Sequence, residues 1–448
     1  MLTLFAFLGL ISVLVTIHEF GHYWVARRCG VKVLRFALGF GKPIWLRRFG
    51  QDQTEFAICM LPLGGYVRML DEREAPVEPH EVHRAFNRRP VWMRMLVVLA
   101  GPFANFLLAI LIYSGMLLVG MADFQPRLGS VFPSTPAAQA GFQSGDRILT
   151  MNGTEILSWE DFRLRLFGAA LGDERVALEV QTESGARATR VLDFSAGQEK
   201  IDVGLVDRLG LIPEFRSTVV GKEPKGAALK AGLKEGDRIL SINGQKVLDG
   251  GMLIDRIQQT AGRLITLQVQ RQGQVLTLQA TPDVVQENGQ RIGKLGVSLG
   301  WDVEATRKQA MVLQLGPWQA LQHAMVRTRI TASLSLQMLG KMLTGRVGVE
   351  NLGGPGSVAK VSGEAAAIGW VPYLLTIAFV SIGLGVLNLL PVPMLDGGHF
   401  MYYVAELIKG SPVSVRAQEI GQYVGVAVLL MLMSIALYND VQRLFLHA

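Results

Sequence analysis

Two histidines and a glutamate stand inside an apolar run, VLVTIHEFGHYWVA, residues 13–26. His18 and His22 are four residues apart, so on a helix both imidazoles project from one face and can share one ion. Glu19 then sits beside them, free to work on a bound water. A pair of helical histidines is by itself more often structural. Inside an apolar span, however, ionisable groups are expensive and persist where they have a partner or a function. A metal ion would satisfy both imidazoles.

Zinc catalysis commonly uses three protein ligands and leaves a fourth position for water. The best remaining candidate in an apolar segment is Asp396, within NLLPVPMLDGGH at 388–399. Pro391 and Pro393 cannot continue helical hydrogen bonding and Gly397-Gly398 removes side chains, so this span should be broken near Asp396. Irregular backbone at that depth is tolerated only when it is buried in protein or faces water. His399, past the glycines, is a rival ligand ranked below Asp396. Taken alone, Asp396 reads as a helix-terminating aspartate bonded to the glycine amides; beside the first-span motif it reads as a ligand. Ligand type alone does not separate zinc from another divalent ion.

These groups need spans to hold them. Of the 448 residues, half are hydrophobic and 18% charged, and four windows are long and apolar enough to cross a bilayer: 2–26, 95–121, 370–395 and 421–438. MLTLFAF has no basic leader and no small-residue cleavage site follows it, so the first window reads as a retained span. Residues 1–17 carry no Lys or Arg, whereas Arg27 to Arg94 contains thirteen, which predicts a cytoplasmic segment there and an outward N-terminus. Alternation then places 122–369 and the C-terminus outside, and Lys409 and Arg416 inside. The net charge of +7 clusters beside the spans, which favours lipid headgroups over nucleic acid as its partner. Cys29 and Cys59 both fall on the cytoplasmic side, so no disulfide framework is implied.

After the first span, FAICMLPLGGYVRML (56–70) alternates apolar residues around Gly64-Gly65 and reads as a β-hairpin. The outer region contains a repeat: AGFQSGDRILTMNG at 140–153 and AGLKEGDRILSING at 231–244 agree at nine of fourteen positions. In each copy Gly-Asp makes a turn, an apolar strand follows, and Asn152-Gly153 or Asn243-Gly244 closes a hairpin. The pattern resembles PDZ domains, with LGLIPE (209–214) and LGVSLG (295–300) in the order of the circularly permuted bacterial form. That resemblance implies two α+β domains in which Leu209, Gly210, Leu211, Leu295, Gly296 and Val297 match the loop that receives a peptide carboxylate. The glycines can equally be plain turn formers. Residues 305–345 suit an amphipathic helix on the outer membrane face with a kink near Gly316-Pro317, and the glycine cluster at 351–361 lacks phosphate-loop spacing and reads as an interfacial loop.

HEFGH in the first span, GPFAN at 101–105, NLLPVPMLDGG in a late span and the tandem PDZ-like units together resemble the site-2 protease family of intramembrane metalloproteases, across essentially the whole chain. The resemblance implies a multi-pass α-helical membrane protein of about four transmembrane helices, with a membrane-associated β-hairpin and two extracytoplasmic PDZ-like α+β domains. Its expected segments are 1–121, with the first two spans; 122–215 and 216–303, the PDZ-like units; 304–369, surface helices and loop; and 370–448, the last two spans. It implies one zinc ion held by His18, His22 and Asp396, with Glu19 as general base. Asn388 donates to the oxyanion or the substrate backbone, and Pro391 belongs to the same motif. A membrane-associated β element, here Gly64, Gly65, Tyr66, Val67, Arg68 and Met69, pairs with substrate backbone. Gly101, Pro102 and Asn105 allow close helix approach and lend a polar contact near the metal.

Substrates so implied are single-span proteins already trimmed outside, chiefly an anti-sigma factor, with remnant signal peptides as a second class. The setting is a bacterial inner membrane with periplasmic termini and the active site toward the cytoplasm. Two other classes predict different behaviour. A membrane-anchored PDZ adaptor would bind zinc without hydrolysis, and a metal transporter would show zinc flux, although four spans without an inverted pair of broken helices suit it poorly.

Overall fold

The computed structural model describes all residues except 133–134, 173, 196–204, 215–216, 220–224, 248–249, 288–289, 302–309, 346, 350–351 and 446–448. The expected boundaries at 215/216 and 303/304, the start of the amphipathic segment at 305–309 and Asn351 therefore lie outside the described residues. The chain forms two compact units, one from Met1–Val119 with Gln314–Ala448 and one from Gly120–Leu313.

In the first unit, four helices are long and apolar enough to cross a membrane: Leu2–Arg28, Val91–Val119, Trp370–Asn388 and Val415–Arg443. They carry the four apolar windows, with one difference. Apolar composition runs on to Leu395, but the third span stops at Asn388, and residues 389–395 turn before a new helix, Asp396–Lys409, begins. Pro391 and Pro393 account for the stop, since neither can donate to the preceding turn.

The first two spans meet along rows of every fourth residue. Ala6, Leu10, Leu14, His18, His22 and Ala26 are buried on the first, and Val97, Gly101, Asn105, Ala109, Tyr113 and Leu117 on the second. Rows of this kind are the ridges that interdigitate in the commonest class of helix packing. Gly21 makes the approach possible, because a Cβ there would lie 2.3 Å from the Ala100 carbonyl oxygen. Ser381 of the third span donates its hydroxyl to the Asn105 carbonyl at 2.8 Å, fixing that span to the second.

Helix Pro317–Leu343 begins at the residue where a kink was expected: Gly316 is its N-cap and Pro317 its first residue, a position that needs no N–H donor. Its small residues Ala320 and Ala324 are buried, and Ala324 shares a core with Ala109 and Tyr113 of the second span and Ile382 of the third. The glycine cluster leads into helix Pro355–Ile368. The Gly354 and Gly356 amides and the Ser357 hydroxyl donate to the carboxylate of Asp440, and Asn439 donates to the Val349 and Leu352 carbonyls. Those amides serve a carboxylate of this chain.

The β element differs from a simple hairpin around Gly64-Gly65. Strand run Val33–Phe49 pairs with Thr54–Met69 twice over: Phe36 faces both Phe56 and Val67, and Phe56 also faces Arg47. The resulting order is 43–49, 54–59, 33–38, 65–69. The two halves of the alternating segment thus flank residues 33–38 and do not pair with each other. Alternation identified the strands, but a strand partner far away in sequence leaves no local mark. Among the described residues, nothing pairs with the outer edge of Gly65–Met69.

In the second unit the repeat is visible as two four-stranded sheets of equivalent order. One runs Thr154–Glu155, Arg147–Met151, Arg175–Gln181, Arg187–Asp193; the other runs Gln245–Lys246, Arg238–Ile242, Ile265–Arg271, Gln274–Ala280. A helix, Trp159–Leu171 or Gly250–Gln259, follows the hairpin in each. Asn152 and Asn243 adopt φ of 48° and 49°, with Gly153 and Gly244 at 74° and 76°, the left-handed pair that a two-residue hairpin turn demands. Each asparagine also accepts a backbone N–H across the sheet, from Ala177 or Thr266. Asp146 and Asp237 are fully buried at the preceding turn. At Asp237 burial opposes ionisation, yet Arg271 and the Lys234 amide outweigh it and hold the carboxyl below its ordinary range.

Candidate metal centre

The first span presents His18 and His22 inward from one helical face, at 9% and 8% exposure. The third span's early stop lets the chain turn and start helix Asp396–Lys409 with Asp396 as its first residue. The residue before it, Leu395, is the N-cap, and the Asp396 carboxylate faces the imidazoles. Asp396 Oδ2 lies 3.1 Å from His18 Nε2 and 3.5 Å from His22 Nε2, and the two Nε2 atoms are 3.2 Å apart. Gly397 and Gly398 permit the tight turn, because a Cβ on either would fall 2.2–2.3 Å from the carbonyls of residues 389, 390 or 392.

This triangle tests the fit of a metal. Three corners of a tetrahedron with arms of about 2.0–2.1 Å are about 3.3–3.4 Å apart, and the observed edges of 3.1, 3.2 and 3.5 Å bracket that value. Asp396 Oδ2 is buried with no hydrogen-bond partner, as an oxygen reserved for a cation would be. Two imidazole nitrogens and one carboxylate oxygen form a donor set suited to zinc. Among the described residues this is the one group of three or more His, Cys, Asp or Glu that could hold an ion.

The second span forms the back wall. His22 Nδ1 donates to the Val97 carbonyl at 2.8 Å, which leaves Nε2 with its lone pair toward the metal position. Gly101 sits between the rings: a Cβ there would be 2.3 Å from His22 Nε2 and 2.8 Å from His18 Cε1. The amides of Asn105 and Asn388 approach His18 Nδ1 at 3.2 and 3.5 Å.

A cavity of about 830 Å³ opens from the three ligand atoms and is lined also by Glu19, Gly65, Tyr66, Val67, Met69 and Asn388. The Val67 backbone amide addresses the Glu19 carboxylate. Gly64, Arg68 and Pro391 are not on its wall, and Arg68 turns instead to Glu74 at 3.3 Å. His399 lines the cavity but stands outside the ligand triangle. In the second unit Gly210 and Gly296 have φ of 78° and 80°, while Leu209, Leu211 and Leu295 are buried and Val297 packs against the core. Only backbone is therefore available to a ligand at the leucines.

Sequence reading missed two features of the cavity. The Val97 carbonyl is invisible in sequence because any residue supplies one. Arg94, counted only as a positive charge, makes a bidentate pair with Glu406 at 2.7 and 3.0 Å and lies over the Tyr403 ring. A lone arginine one turn into an apolar helix is the signal that could have found it.

Comparison with known proteins agrees with this chemistry. The family description "Peptidase family M50" matches residues 6–432. A Ralstonia nicotianae protein named "Putative zinc metalloprotease RSc1411" is 40% identical over 465 aligned residues, covering 100% of this chain and 99% of the relative. The "Regulator of sigma-E protease RseP" of Escherichia coli is 39% identical over 446 residues, covering 98% of both chains. With a match of that extent around a buried His-His-Asp triangle, the chain belongs to peptidase family M50 and is a zinc metalloprotease of the membrane.

Proposed function

We propose that this protease cuts single-span membrane proteins within or near their transmembrane segment, after they have been trimmed on the outer side. The observation that carries the reading is the unpaired edge of strand Gly65–Met69, which borders the same cavity as the three ligand atoms and Glu19. A helical substrate hides each carbonyl in an i to i+4 hydrogen bond, so cleavage requires an extended chain. A free strand edge supplies main-chain partners for it, as in strand addition.

His18, His22 and Asp396 hold the metal, Glu19 serves as the base, and Asn388 faces the substrate. Zinc, when bound, acidifies water and polarises the scissile carbonyl. Glu19 takes the proton from the attacking water and delivers it to the leaving amine. Asn388 donates its amide to the carbonyl oxygen as charge builds there, or to the neighbouring backbone. The edge at Gly65, Tyr66, Val67 and Met69 holds the substrate backbone against Glu19, with Gly64 and Arg68 in the same strand run and Pro391 shaping the turn before Asp396.

The name of the Escherichia coli relative supports a place in sigma-E regulation; an anti-sigma factor as substrate, with remnant signal peptides as a second class, is what the family resemblance adds to this proposal. The setting is the bacterial inner membrane, with both termini and the repeat unit outside, and one zinc per chain. The repeat unit is read as two PDZ-like domains, at 122–215 and 216–303. They either receive a new C-terminus at Gly210 or Gly296 or exclude untrimmed substrates by size. Substituting either glycine abolishes the first role, whereas only deleting a whole unit admits untrimmed substrate under the second.

The test is cleavage of a single-span substrate in detergent by wild type and Glu19→Gln, with zinc measured in both. Wild type cuts and the zinc-loaded variant does not if Glu19 is the base. If neither cuts a panel of trimmed spans while both hold zinc, the adaptor reading replaces this one.

A further inference from the structure

We infer that Asn105 is the positioning residue that fixes the His18 imidazole for the metal, while Asn388 is left free for substrate. The inference rests on His18, His22 and Asp396 being the ligands. His18 turns Nε2 toward Asp396 and His22, so Nδ1 must carry the ring proton and needs an acceptor. His22 has such an acceptor in the Val97 carbonyl. Val97, Gly101 and Asn105 occupy successive fourth positions on one face of the second span, so the same face that serves His22 presents Asn105 to His18.

Two asparagines approach His18 Nδ1, and they are not equivalent. Asn105 is fully buried and 3.2 Å away, and its backbone carbonyl accepts the Ser381 hydroxyl at 2.8 Å. Asn388 is only part-buried and 3.5 Å away, at the outer limit of a hydrogen bond. The Asn105 amide presents its nitrogen to Nδ1, and its Oδ1 is buried without a partner. With Nδ1 protonated, two N–H donors would oppose each other. A half-turn about the Cβ–Cγ bond brings Oδ1 onto the Nδ1 proton, turning an opposed pair of donors into a hydrogen bond. That bond sets the tautomer with Nε2 unprotonated and holds the ring plane.

Loss of such a partner typically costs 10–100-fold in metal affinity. The test uses full-length protein in detergent, stripped by chelation and titrated with Zn²⁺ against a chromophoric competitor, with Co²⁺ absorption as a second readout. Asn105→Ala is expected to weaken zinc binding roughly 10–100-fold and shift the Co²⁺ bands. Asn105→Asp, which keeps an oxygen at the site, is expected to stay within a few-fold of wild type, and Asn388→Ala to hold zinc normally while cleaving slowly. Asn105→Ala with wild-type zinc affinity and Co²⁺ bands overturns the inference, as does a loss of affinity in Asn388→Ala instead. An Asn105→Asp variant that binds zinc no better than Asn105→Ala, with an unchanged apo unfolding temperature, also overturns it. His18→Ala separates the layers: if it retains zinc, the ligand set is wrong and this inference falls with it; if it loses zinc, the Asn105 results stand alone.

Discussion

Gly101→Ala is the sharpest probe of the metal centre, because it adds one methyl where the structure has no room. The added Cβ would lie 2.3 Å from His22 Nε2, 2.7 Å from His22 Cε1 and 2.8 Å from His18 Cε1. Non-bonded heavy atoms rest near 3.5 Å, so the shortfall at Nε2 is about 1.2 Å. The helix cannot withdraw easily, since Val97 and Asn105 on the same face are bonded to His22 and Ser381. The imidazoles must therefore move by about 1 Å, a displacement that costs about 10²-fold in rate, or about 2.7 kcal/mol of barrier. Helix propensity favours alanine over glycine by about 1 kcal/mol, so a general loss of fold is not the expected cause. The assay is cleavage of a single-span substrate in detergent, normalised to protein, with zinc content alongside. Gly115→Ala on the same helix is the control, since a Cβ there meets nothing within 4 Å. If Gly101→Ala cuts within threefold of wild type and keeps its zinc, the packing argument is wrong.

Gly65→Ala should act on the substrate side: its Cβ would stand 2.8 Å from the Ala37 carbonyl oxygen and from Val15 Cγ1, and 3.2 Å from Glu19 Cγ. Overpacking of about 1–3 kcal/mol pushes the edge strand off the first span and slows cleavage roughly tenfold with zinc content unchanged. Arg94→Ala strands a carboxylate at Glu406, whose side chain is 12% exposed, and should lower the unfolding temperature in detergent through a loss of about 3–5 kcal/mol; replacing both partners by apolar residues should cost much less. Asp237→Asn probes the second unit by pH. The folded carboxyl lies below its unfolded value near 3.9, so its stabilisation is full above that pH and disappears as pH falls through the folded value. Variant and wild type should differ in thermal unfolding at pH 7 and throughout the range above the unfolded value, and converge only once pH has fallen below the folded carboxyl's own, lower value.

The site was legible in sequence where its geometry is local. His18, Glu19 and His22 share one turn and a half of helix, and their cost in an apolar span announced a partner. Asp396 was reachable because two prolines and two glycines broke an apolar run, which is again a local signal. What escaped notice depends on long-range pairing. Residues 33–38, which the alternating segment flanks on both sides, carry no mark of that role. Asp440 reads as an ordinary polar residue near a helix end, and only the fold shows it receiving the amides of Gly354 and Gly356. The start of helix Pro317–Leu343 was misread as a kink because Gly-Pro serves both purposes, and only the packing of Ala320 and Ala324 distinguishes a beginning from a bend.

The metal centre also carries a timetable. His18 and Asn388 are 370 positions apart, and Asp396 comes later still. At about 5–20 residues per second of synthesis, the first span waits roughly 20–70 s before its partner emerges. During that interval two histidines can chelate but cannot complete the site, and the strand edge beside them has nothing to cut with. On the ligand set proposed above, a newborn chain is thus inert toward the other nascent spans around it until helix Asp396–Lys409 has joined the first span, and activity arrives as a property of the finished molecule.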